Sequence, residues 1–81
     1  MNPNKEGNIG VMDYVIAQEF VYDNGKTLEQ YAILQDGVKL HNAESIAEAI
    51  ITVKIKKKFT NNPDARCYFS LPNGVYTVLN I

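Results

Sequence analysis

The sequence has no tryptophan, one cysteine, one histidine and no large excess of either charge, and each shortage removes a class of function. A lone thiol at Cys67 excludes an internal disulfide framework and a cysteine-based zinc site, and it suits a reducing compartment. A formal net charge of −1 creates no global field that would draw the chain onto nucleic acid or an anionic bilayer, so any such binding must rest on a local patch. No apolar run approaches the roughly 20 residues that span a membrane. Met1–Gly10 lacks the basic and hydrophobic regions of a signal peptide, which makes the cytoplasm the expected location.

What is present is enough for one small domain. With 46% hydrophobic and 21% charged residues among 81, the composition is that of an ordinary globular protein. A chain this short builds one core and buries only about 60–65% of its unfolded surface, which makes association a natural source of further stability. Residues 1–12, with Pro3, Gly7, Gly10 and several asparagines, have the composition of a tail, which leaves 13–81 as the domain.

Two runs rich in Val, Ile, Phe and Tyr, Tyr14–Tyr22 and Thr27–Gln35, flank Asp23-Asn24-Gly25 and predict a β-hairpin. A bulged turn there sets Glu19 opposite Glu29 and gathers Tyr14, Ile16, Phe20, Leu28, Ala32 and Leu34 on one face. A two-residue Asn24-Gly25 turn avoids the like-charge pair but divides the apolar residues between both faces, so the bulged form is the one expected. Asp36-Gly37 is a second turn, followed by a short third strand at Val38–Leu40. Asn42 is the expected cap of a helix that ends near Lys56, Lys57 and Lys58, before Asn61, Asn62 and Pro63. Ile46, Ala49, Ile50 and Val53 form its core-facing stripe. A helix to Ile50 followed by a strand is the competing reading of 51–59, because Ile51, Val53 and Ile55 alternate with polar residues. Cys67–Leu71 and Val75–Ile81 close the domain as a hairpin around Leu71-Pro72-Asn73-Gly74. The expected fold is α+β, a mainly antiparallel sheet with one amphipathic helix in the order β-β-α-β-β.

Little in this sequence is arranged for chemistry. His41, the single histidine, lies just before the expected helix cap, where a solvated or locally hydrogen-bonded side chain is expected. Cys67 falls among core-facing positions, where a thiol acts as a small hydrophobe. Ser45 and Ser70 sit in no nucleophile pattern, the glycines mark turns, and the acidic residues are dispersed singly, so neither a catalytic residue, a cofactor nor a metal site is expected. Glu19 and Glu29 would meet as an acid-base pair only in the bulged hairpin register.

Two features remain that could carry binding. If one helix covers one side of the sheet, Val15, Tyr31, Ile33, Tyr68, Tyr76 and Val78 are left on the other, and an aromatic, apolar patch of that size marks an interface. Lys54, Lys56, Lys57, Lys58 and Arg66 form a local basic cluster, which nearby tyrosines could extend into a surface for phosphates and bases. The expected function is a non-enzymatic protein-interaction module, a modulator or inhibitor of a larger protein, acting through the sheet face and able to homodimerise. Nucleic-acid binding through the lysine cluster is the alternative, and no membrane partner is expected.

Overall fold

The computed structural model describes residues 9–81, so most of the expected tail lies outside the described residues. The elements are β1 (Tyr14–Asp23), β2 (Lys26–Gln35), β3 (Val38–Ala43), α1 (Ile46–Phe59), β4 (Cys67–Ser70) and β5 (Tyr76–Leu79). They form one five-stranded sheet in the order β3-β2-β1-β4-β5 with the helix on one side. The α+β class is as expected, but the sheet is mixed and carries a full third strand. β3 is antiparallel to β2 and therefore runs with β1. The helix brings the chain back across two strands, so β4 enters parallel to β1. Segments that look like two separate hairpins in sequence are thus joined by a crossover.

The first hairpin takes the two-residue turn, not the bulged one. Asn24 and Gly25 both have positive φ, 52° and 76°, and Asp23 pairs directly with Lys26. This turn matches the natural twist of paired strands, and it sets Phe20 opposite Glu29 and Glu19 opposite Gln30, which removes the like-charge pair. The same shift of register reverses the faces of β2: Tyr31 and Ile33 turn toward the helix, while Leu28, Ala32 and Leu34 turn away. The second hairpin is as read from sequence. Gly74, at φ 88°, follows Pro72 and Asn73, and its amide donates to the Leu71 carbonyl at 2.9 Å.

The helix continues through 51–59 to its expected end but starts later. Asn42 is paired with Ala32 inside β3, and the cap is Ser45, whose Oγ accepts from the Glu48 amide at 3.1 Å. Glu48 in turn accepts from the Glu44 amide at 3.2 Å, so its side chain ties the residue before the cap to the first turn. At the other end Asn61 is left-handed, and the amides of Asn61 and Asn62 bond back to Lys58 and Lys57, closing the helix before Pro63. Ala49 and Val53 are buried and Ile50 packs beside them, against Tyr14, Ile16, Ile33, Ala43 and Cys67. Ile46, the fourth residue of the expected stripe, remains exposed.

Asp13 fastens the start of β1 to the start of β4. Its carboxylate accepts from the Arg66 amide at 2.9 Å and from the Gly10 amide at 2.8 Å, and the Tyr14 amide donates to the Arg66 carbonyl.

Candidate binding surfaces

Four of the six residues expected on the uncovered side of the sheet are there: Val15, Tyr68, Tyr76 and Val78 share it through the pairings Val15–Tyr68, Tyr68–Val78 and Ser70–Tyr76. Tyr31 and Ile33 are not. They belong to the helix side, where Ile33 is buried and the Tyr31 ring lies 6.3 Å from that of Phe69. Their places are taken by Leu28, Ala32 and Leu34. Tyr68, with 6% of its surface exposed, is part of the wall, whereas Val78 is 50% exposed and open to contact.

Among the described residues no helix or second sheet lies over this outer face. It holds a hollow of about 370 Å³ floored by Val15, Ala17, Leu34 and Tyr76, with Ile9 and Gly10 at one edge and Asp36 on the rim. Glu19 meets Lys39 at 3.5 Å on the same face. Glu29 is on the opposite side of the sheet, hydrogen-bonded to Gln18, so Glu19 and Glu29 cannot act as an acid-base pair. Burial of the Tyr31 hydroxyl beside Glu29 raises its pKa, which keeps it neutral.

The basic cluster divides. Lys54 and Lys58 point outward from the helix and are exposed. Lys57 is half-buried, with its Nζ donating to the Ile81 carbonyl at 3.4 Å. Lys54, Lys57, Lys58, Pro63 and Ile81 line a hollow of about 360 Å³ beside the end of the helix. Arg66 and the expected stacking rings, Tyr68 and Tyr76, project to the sheet's outer face, away from these lysines. The Tyr68 hydroxyl and Asp13 raise the pKa of the Arg66 guanidinium.

Of the residues with catalytic potential, His41 and Ser45 lie beside Glu48 at the exposed start of the helix, and Cys67 is in the core. His41 is exposed and faces Glu48 at 3.5 Å, Ser45 is occupied by capping, and burial pushes the Cys67 thiol up from 9.0 to about 11, with Lys57 acting weakly in the other direction. At that value the thiol is protonated near neutrality and is a poor nucleophile. No group of three metal-ligating side chains occurs among the described residues, and no helix there is long and apolar enough to cross a membrane.

Two apolar surfaces were missed by the sequence reading. Residues Gln18–Gln30 project as a two-stranded arm. β4 pairs with β1 only over Tyr14–Ala17, and β3 reaches β2 only as far as Tyr31. On the arm Phe20 and Tyr22 face the helix side of the sheet beyond the reach of the helix, and Tyr22 is 77% exposed. The second surface is the outward side of α1, where Ile51, Ile55 and Phe59 recur every fourth residue and Phe59 is 86% exposed. That spacing was available in sequence, because the core stripe accounts for only one side of the helix. No family model matches this chain, and comparison with curated proteins and with solved structures finds no match.

Proposed function

We propose that this domain is a non-enzymatic protein-binding module that engages a larger protein through the outer face of its sheet. The observation that carries this reading is the one-sided cover. A sheet with a helix on a single side turns Val15, Leu34, Tyr76 and Val78 outward, and the first three line a hollow with an apolar floor. Apolar surface of this kind favours a partner over water, and tyrosine adds area, a rigid ring and a hydroxyl. Cys67 is buried and protonated, Ser45 is engaged in capping and the His41–Glu48 pair is exposed at the helix start, which supports a binding role over a catalytic one.

The test is the double substitution Tyr76→Glu and Val78→Glu, which leaves the buried Tyr68 in place. Affinity capture with mass spectrometry, run beside far-ultraviolet circular dichroism, should show a folded variant that has lost the partner held by the parent chain. A folded variant that retains the same partner would refute the sheet-face reading.

A further inference from the structure

The arm and the outward side of the helix have matching patterns. On the arm, Phe20 and Tyr22 form a row along β1, and Glu29 lies opposite Phe20 on the adjacent strand. On the helix, Ile51 and Ile55 form an apolar row with Lys54 and Lys58 beside it. Residues two apart on a strand are spaced by about 6.7 Å. Residues four apart on a helix are spaced by about 6 Å. Rings can therefore lie on isoleucines while the Glu29 carboxylate meets the lysines. On the inner face of the arm Glu29 is the one charged side chain, since Glu19, Asp23 and Lys26 turn to the other face, whereas the helix has no acidic residue after Glu48. The two surfaces are of opposite charge.

Their places in the fold are also complementary. α1 starts near the Gln18–Tyr31 pair, where β3 ends, and finishes beside Cys67 and Ile81. It stops short of the arm, so among the described residues no helix lies above the arm's inner face. We infer that two copies of this chain pair face to face about a two-fold axis, with each arm laid on the outward side of the other's helix. In this arrangement both helices occupy one layer, each between its own sheet and the partner's arm. The contact occurs twice, as two-fold symmetry requires. Rings and isoleucines alone would bury on the order of 1,000 Å², at the threshold for a specific interface. This surface is separate from the outer sheet face, and the inference does not depend on the function proposed above.

Sedimentation equilibrium over a concentration series tests it. The parent chain should pass from monomer to dimer. Tyr22→Asp and Ile55→Asp, both at exposed positions, should each weaken the dimer at least about tenfold, a loss of roughly 1.4 kcal/mol, with circular dichroism unchanged. Glu29→Lys alone and Lys54→Glu with Lys58→Glu should each weaken it too, and the three changes together should restore it. Tyr76→Glu should leave the mass unchanged. The inference is overturned by a parent chain that stays monomeric to about 1 mM. It is also overturned by a dimer that both aspartate variants leave intact, or by a helix stripe whose only occupant is an anionic vesicle or an oligonucleotide added as probe.

Discussion

One hairpin supplies both the most and the least supported parts of this molecule. At its base, Tyr14–Ala17 and Ala32–Gln35 are flanked by β4 on one side and β3 on the other, with the helix above. In its arm, Gln18–Gln30, the same two strands continue with no other strand beside them among the described residues. Apolar residues recur along both parts, yet Ile16 and Ile33 are fully buried while Phe20 and Tyr22 face solvent. Identical local pattern thus serves folding where neighbours exist and association where they do not. An isolated two-stranded ribbon is only marginally stable in water, so the arm draws its order from the base or from a partner.

The sharpest way to break this contrast is to truncate equivalent positions in the two parts. Ile16→Ala should destabilise the monomer by about 2–5 kcal/mol, since it removes a buried side chain and leaves a cavity. Phe20→Ala, four residues along the same strand and on the same face, should change monomer stability by no more than about 0.5 kcal/mol. Urea unfolding at low protein concentration checks both, and equal effects would erase the distinction. Gly25→Val comes next. Gly25 has φ 76°, and a branched residue there should cost about 1–2 kcal/mol. Amide chemical-shift changes should be confined to the arm while those of the base stay in place. Ser45→Ala removes the cap where the helix begins and should cost about 1 kcal/mol, read as a lower urea midpoint.

The smallest effect at neutral pH concerns Cys67. Its folded pKa lies above its ordinary value, so the fold favours the protonated thiol. That contribution is complete below pH 9 and is lost as pH rises through about 11. Iodoacetamide should label Cys67 slowly at pH 8 in the folded protein and quickly after addition of urea. Unfolding midpoints of the parent should fall over pH 9–11 more than those of Cys67→Ala. Fast labelling of the folded chain would place this thiol outside the base.

Much of the fold is legible in the sequence because it depends on local chemistry. Asn24-Gly25, Asp36-Gly37 and Leu71-Pro72-Asn73-Gly74 mark turns through the backbone angles they permit, and Asn61 and Pro63 end the helix. The register of the first hairpin is harder to read. Asn24-Gly25 fits either turn, and gathering Tyr14, Ile16, Phe20, Leu28, Ala32 and Leu34 on one face favours the bulged one. The molecule instead has apolar residues on both sides, so Tyr31 and Ile33 exchange places with Ala32 and Leu34. The parallel β1–β4 pairing is non-local and has no signature in either strand. The arm was hidden for a related reason: its exposure follows from where β3 and β4 stop, which neither Phe20 nor Tyr22 encodes. Outer-face membership of Val15, Tyr68, Tyr76 and Val78 was readable because alternation along each strand is enough to assign it.

Hydrogen exchange at two protein concentrations gives the most direct comparison of base and arm. Amides of Tyr14–Ala17, Ile33 and Cys67–Phe69 should be protected equally at both concentrations. Those of Gln18–Asp23 and Lys26–Gln30 should exchange quickly in dilute solution and slow as the concentration rises. Arm amides as protected as the base at every concentration would contradict the division of one hairpin into a folding half and a binding half.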